Sequence, residues 1–244
     1  IPADGIAGTA PAGPLARGVF DFAEEALAEP LATSLDSVVR EAPLSLFRGE
    51  GSIASPTAGG LYWQLHQSFI LIQIRGGLVI IDQHAAHERV LFDRARSSLS
   101  GARAVGQSLL FPATITLSPD EFERYESLGA TLESVGFDTE PFGPRSLIVR
   151  GIPAGVRNWG DGKLLQEILG DGRSGIDGFL RSYACRAAIK AGTRLSAEEM
   201  ESLADQLFAT ELPYTCPHGR PTMLRVSLGE LERRFARSAI PERT

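Results

Sequence analysis

Cysteine is nearly missing from this chain of 244 residues: Cys185 and Cys216 are too few for the disulfide framework of a small secreted domain. Lysine is almost as scarce. Lys163 and Lys190 are the only two, so arginine makes up the rest of the basic set. Arginine suits bidentate phosphate contacts, and a genomic base bias gives the same imbalance. No hydrophobic run approaches the length of a membrane span; the longest, over residues 69–81, is broken by Gln73, Arg75, Gly76 and Gly77. The opening Ile1-Pro2-Ala3-Asp4 has neither the basic region nor the apolar core of a signal peptide, and it lacks an initiating methionine, as expected of a piece of a longer chain. Positive charge is not in excess. A formal net charge of −6 argues against attachment to nucleic acid by bulk charge, while leaving room for a local basic face. There is no repeat at solenoid spacing. What remains, 43% hydrophobic and 22% charged, is the composition of one or two globular domains with a real core.

Residues 1–58 are rich in Ala, Gly, Pro and Ser and carry only Phe20, Phe22 and Phe47 as aromatics. Such a stretch buries too little surface to offset its ordering entropy, which predicts a linker, with a transient helix over residues 20–29. Its alternative is an arm docked through those phenylalanines. From residue 61 the pattern tightens. Residues 61–74 and 78–81 read as a hairpin turning at Gly76-Gly77. Residues 85–96 have helical periodicity, and 113–117 read as a strand. Ser118-Pro119-Asp120-Glu121 is a helix start with a capping box and proline at the first position; that helix stops at Gly136. Strands follow over 137–141 and 146–152. Helices are expected over 163–169, over 176–191 with Gly192 as its left-handed cap, and from Ser196 to about residue 210; a strand over 222–226 and a helix over 228–236 complete the chain. Strands and helices do not alternate strictly, so the class is α+β.

The rare side chains are concentrated. Both cysteines and three of the four histidines lie in three segments: Asp82-Gln83-His84-Ala85-Ala86-His87-Glu88, Ala184-Cys185-Arg186, and Cys216-Pro217-His218-Gly219-Arg220-Pro221. Asp82 ends an apolar strand, so Asp82 and His84 point to one side. A helix beginning near His84 carries Glu88 one turn on, on the same face. Pro217 favours an extended Cys216, so Cys216 and His218 also face one way. Thiolate, imidazole and carboxylate form a ligand set for zinc or another transition ion, and two ions could clamp an in-line phosphoryl displacement. Each residue also has a plainer role: Asp82 as a helix N-cap, Cys185 as core packing. His87 is expected to face solvent, and His66 to be a strand histidine.

The run Asp82-Gln83-His84-Ala85-x-x-Glu88-x-x-x-x-Asp93 resembles the endonuclease motif of MutL-type DNA mismatch repair proteins. Ala184-Cys185-Arg186 and Cys216-Pro217-His218-Gly219-Arg220-Pro221 resemble that family's two further C-terminal motifs, in the same order. The likeness covers residues 59–236 and departs at Asp93, where the family has Glu. It implies a C-terminal domain of the nicking class, with Asp82, His84 and Glu88 catalytic. Asp82, His84, Glu88, Cys185, Cys216 and His218 are then metal ligands, and Arg186, Arg220 and Asp93 contact phosphate or support the site. It further implies regulatory or structural Zn2+, catalytic Mn2+, and ATP acting only through an N-terminal ATPase domain absent from this chain. The implied architecture is a dimerisation subdomain over 59–104 and 184–244, carrying the metal site, with a smaller external regulatory subdomain over 105–183.

Gln107-Ser108-Leu109-Leu110-Phe111-Pro112 has a polar anchor, apolar pocket fillers and a stiffening proline. It is similar to the family's linear motif for the replication sliding clamp, with Gln107, Leu110 and Pro112 as contacts; an ordinary edge strand is the alternative. The resemblance thus implies these partners: duplex DNA held weakly, a second copy of the chain, the clamp, and a mismatch-recognition protein in the full-length context. No membrane is implied, and the location is cytoplasmic, at the nucleoid during repair. The competing function is a non-catalytic dimerisation and docking module with a structural zinc.

Overall fold

The structure, a computed structural model, describes residues 62–101, 104–173 and 175–237. The linker expected over 1–58 lies outside the described residues. In chain order the elements are β1 (Tyr62–Leu65), β2 (Phe69–Ile74), β3 (Gly77–Asp82), α1 (Gln83–Leu99), β4 (Gly106–Thr116), α2 (Pro119–Val135), β5 (Asp138–Pro141), β6 (Ser146–Pro153), a 3-10 turn (Gly160–Gly162), α3 (Lys163–Leu169), α4 (Gly175–Ala187), α5 (Ala197–Phe208), β7 (Met223–Ser227) and α6 (Leu228–Arg234). The class is α+β, as the sequence indicates.

Two antiparallel sheets organise these elements, one ordered β1-β2-β3-β7 and the other β4-β6-β5. The stretch 61–74, read as one strand, is two. His66 and Gln67 adopt φ of 48° and 50°, so the chain reverses there although no glycine or asparagine marks the turn. His66 is therefore a turn residue. In the larger sheet the alternation of a half-covered antiparallel sheet holds. Ile70, Ile72, Val79, Ile81 and Met223 are buried on one face. Trp63, Leu71, Ile80 and Leu224 stand in register on the other, a continuous apolar row across all four strands.

Helix boundaries follow local chemistry at most ends. Ser118 and Ser196 each form a capping box, with Glu121 and Glu199, and Gly136 closes α2 at φ 108°. Helix α4 is shorter than expected and stops at Ala187. Beyond it several peptide groups bond to side chains: Ile189 N donates to His87 Nδ1, Gln83 Nε2 donates to the carbonyls of Lys190 and Thr193, and Gln64 Oε1 accepts from Leu195 N. Gly192 donates its N–H to the Gln67 carbonyl rather than capping a helix.

There are two cores, and α1 serves both. Leu91, Phe92 and Ala95 join a core built on the smaller sheet with α2, α3 and α4, which runs to Ala188. Ala86 and Val90 join a core between the larger sheet and α5, which resumes at Ile189. A helix pressed from two sides buries positions that periodicity assigns to solvent, and His87, Glu88 and Arg89 are all buried. No helix among the described residues is long and apolar enough to cross a membrane.

Candidate metal centre

Asp82 ends β3 in extended conformation, and its Oδ1 accepts from the backbone N–H groups of His84 and Ala85, both at 2.9 Å. This N-cap starts α1 where it must for His84 and Glu88 to share a face one turn apart. The His84 ring is oriented by its Nδ1, 2.9 Å from the Ile189 carbonyl. A carbonyl only accepts, so Nδ1 carries the proton and Nε2 keeps the lone pair a cation needs.

Helix α4 brings Cys185 to the same face, and the loop before β7 brings Cys216 and His218. That loop is shaped locally: Cys216 N donates to the Arg220 carbonyl at 2.8 Å, and Gly219 N to the Cys216 carbonyl at 2.9 Å. Pro217 takes the second turn position, which its fixed φ favours. His218 N lies 3.4 Å from Cys216 Sγ.

Two groups of ligand atoms result, one from His84, Glu88 and Cys185 and one from Glu88, Cys216 and His218; within each, the atoms lie within 4.8 Å of one another. Glu88 belongs to both. Its side chain is fully buried, and neither oxygen has an aligned hydrogen bond. His218 Nδ1 stands 2.8 Å from Oε1 without its N–H pointing there, and Arg220 Nη2 lies 3.5 Å from Oε2. A carboxylate out of water with no aligned donor is costly, and a cation between these donors is the partner its chemistry fits. Nitrogen, sulfur and oxygen together match zinc or a similar divalent ion.

Burial pushes the Cys185 thiol up, and the neighbouring Glu88 adds to this, while Lys190 and Arg186 pull the other way. Contact with Cys216 holds the Arg220 guanidinium above its ordinary value, with Glu88 and Asp82 contributing.

The remaining expected residues fall elsewhere. Asp82 lies outside both ligand groups; its Oδ1 is committed to the helix cap. Asp93 pairs with Arg89, Oδ1 to Nη1 at 3.0 Å. Arg186 bonds Ser182 Oγ and pairs with Glu167 and Asp171 at 3.4 and 3.6 Å, while Arg220 pairs with Glu88 itself. His87, expected in solvent, is buried: its Nδ1 accepts from Ile189 N at 3.0 Å, and burial lowers its pKa to about 4. His84 and His87 thus hold the two sides of one residue, Ile189. Arg173, which sequence reasoning did not single out, reaches His218 Nε2 at 3.3 Å. Buried Gln83 was also missed; it accepts from Gln64 and donates to the Gln67 carbonyl.

Gln107, Leu110 and Pro112 lie on β4. The β4–β6 register jumps between Ser108 and Ala113, so residues 109–112 bulge from the sheet. Leu110 and Phe111 are 87% and 80% exposed there, and Gln107 Nε2 reaches the Val156 carbonyl at 3.3 Å.

A family model described as the MutL C terminal dimerisation domain matches residues 62–195. Among relatives described as DNA mismatch repair protein MutL, that of Chlorobaculum tepidum is 43% identical over 198 residues, covering 78% of this chain and 32% of the relative. That of Chlorobaculum parvum is 44% identical over 184 residues, covering 72% and 29%. That of Chlorobium limicola is 40% identical over 202 residues, covering 80% and 32%. The chain spans about a third of the length of these relatives.

Proposed function

The chain belongs to the family of MutL C-terminal dimerisation domains, and from that premise we propose that it is a metal-dependent endonuclease nicking duplex DNA in mismatch repair. The observation that carries this reading is the shared Glu88, buried, without an aligned hydrogen bond, and common to two groups of ligand atoms. When bound there, a divalent ion supplies the charge that polarises a phosphodiester oxygen and lowers the pKa of an attacking water. His84 offers Nε2, Glu88 its carboxylate, and Cys185, Cys216 and His218 the softer donors. Asp82 contributes through Oδ2, the oxygen its cap leaves over. The thiols favour zinc in a structural or regulatory role, with manganese supporting the cut. Arg173 and Arg220 lie beside His218 and Glu88 and are placed to meet phosphate.

We assign the outer apolar face of the larger sheet, around Trp63, Leu71, Ile80 and Leu224, to a homodimer interface. A sheet face of this kind needs a cover, and the family's description as a dimerisation domain supports a second copy in that place. The exposed bulge at Leu110 and Phe111 supports the clamp contact. With a net charge of −6 the domain holds DNA weakly by itself; the clamp, a mismatch-recognition protein and an ATPase domain outside this chain bring it to its substrate. The setting is the cytoplasm, at the nucleoid.

A non-catalytic docking module with a structural zinc is favoured by the same sheet face and the same thiols. Supercoiled plasmid in manganese separates the two. Nicking by the chain, abolished in a folded Asp82→Asn variant, supports the endonuclease; a zinc-loaded dimer that never nicks supports the module.

A further inference from the structure

A chain of contacts runs from helix α1 to the loop that carries Cys216 and His218. Asp93 and Arg89 are one helical turn apart and joined at 3.0 Å, and Arg89 is only 6% exposed. An ion pair at this spacing commonly lies in solvent and serves its own helix. Here the guanidinium is turned onto another segment: Arg89 Nε donates to the Thr215 carbonyl at 2.6 Å. Arg181 of α4 donates through Nη1 to the Pro217 carbonyl. Both guanidiniums lie against the buried ring of Phe92, at 5.7 Å and 6.0 Å from its centroid. The carbonyls on either side of Cys216 are therefore each fixed by an arginine, and the two arginines share one aromatic support.

The loop's internal hydrogen bonds set its shape but not its position relative to Glu88. Charge-assisted bonds from guanidiniums outside the loop do set position: Arg89 is buried and held by Asp93, and Arg181 is braced against the Phe92 ring. We infer that Asp93, Arg89 and Arg181 are positioning residues that fix the loop 215–218 so that Cys216 and His218 face Glu88. This rests on the reading of that cluster as an ion site. The carboxylate at 93 then acts through Arg89 rather than as a ligand. The shorter reach of aspartate suffices because its partner is one turn back on the same helix.

The test is carried out on the full chain. Iodoacetamide alkylation followed by peptide mass mapping reads Cys216 and Cys185 separately in the metal-free protein. Cys216 is 2% exposed, so its rate reports opening of the loop. Expected is an acceleration of Cys216 by about tenfold in both Asp93→Asn and Arg181→Met, with Cys185 changed by less than about twofold, and recovery in Asp93→Glu, which keeps the charge. Arg181 is exposed, so its variant tests the idea without unbalancing a buried charge. Unchanged Cys216 rates overturn the inference, and so does an equal acceleration of both cysteines, which marks general loosening. Co2+ titration adds a second readout: weaker thiolate-to-cobalt charge-transfer absorption in the two variants supports the inference. Failure of the wild-type chain to bind Co2+ defeats the ion-site reading instead, and the alkylation rates still decide the role of Asp93.

Discussion

Protonating His87 should destabilise the fold, and the size of the effect follows from its surroundings. The ring is buried between the two cores, and its Nδ1 accepts the Ile189 N–H, so a proton there removes an acceptor and places a charge out of water. Burial is the main cause of the drop in its pKa from 6.5 to about 4, with Arg157, Arg94 and His84 adding to it. The unfolded chain therefore binds this proton more readily than the fold does. The stabilisation is intact above about pH 6.5, falls as pH drops, and is fully lost below about pH 4. The linkage relation assigns about 2 kcal/mol of lost stability between about pH 7.5 and about pH 5, rising toward about 3 kcal/mol at lower pH. Urea unfolding at a series of pH values, compared between the wild type and His87→Asn, isolates the effect, because asparagine offers an acceptor near the position of Nδ1 but does not titrate. The variant should be the weaker protein near pH 7.5 and should lose about 2 kcal/mol less than the wild type by about pH 5. Parallel curves across that range would mean that the fold does not disfavour a proton on His87.

The apolar row of the larger sheet makes Leu224→Arg a dimer breaker; sedimentation should show a monomer, and an unchanged dimer would remove this face from the interface. Replacing both Gln107 and Leu110 by Ala should abolish clamp-stimulated nicking and leave metal binding intact; loss of both, or of neither, counts against the clamp contact. Zinc at about a hundred times its dissociation constant should stabilise the wild type by about 2.7 kcal/mol, and Glu88→Gln should erase that gain in thermal melts. A variant stabilised as much as the wild type would remove Glu88 from the ligand set.

Local chemistry made much of this fold legible. The capping boxes at Ser118 and Ser196 and the left-handed Gly136 are statements of sequence that tertiary structure leaves alone. The spacing of His84 and Glu88 likewise needs only a helix. What could not be read depends on packing from outside. The reversal at His66-Gln67 has no turn residue to announce it, and the apolar runs on both sides merge into one apparent strand. Helix α4 looks continuous to Gly192, but it stops at Ala187, beyond which His87 and His84 take the N–H and carbonyl of Ile189, and Gln83 and Gln64 take groups of Lys190, Thr193 and Leu195. His87 and Arg89 read as polar positions on an amphipathic helix. They are buried because α1 lies between two cores, a fact no window of α1 contains. Arg89 and Asp93 are visible as a pair at helical spacing; that the guanidinium reaches Thr215 is not.

Zinc-edge anomalous diffraction from crystals of the zinc-loaded chain would show whether Glu88 binds an ion. The expected ion is bonded to a Glu88 carboxylate oxygen, with cysteine sulfur at about 2.3 Å and histidine nitrogen at about 2.0–2.1 Å from Cys185 and His84, from Cys216 and His218, or from both sets. A zinc-free Glu88, with the ion held only at surface carboxylates, would contradict it.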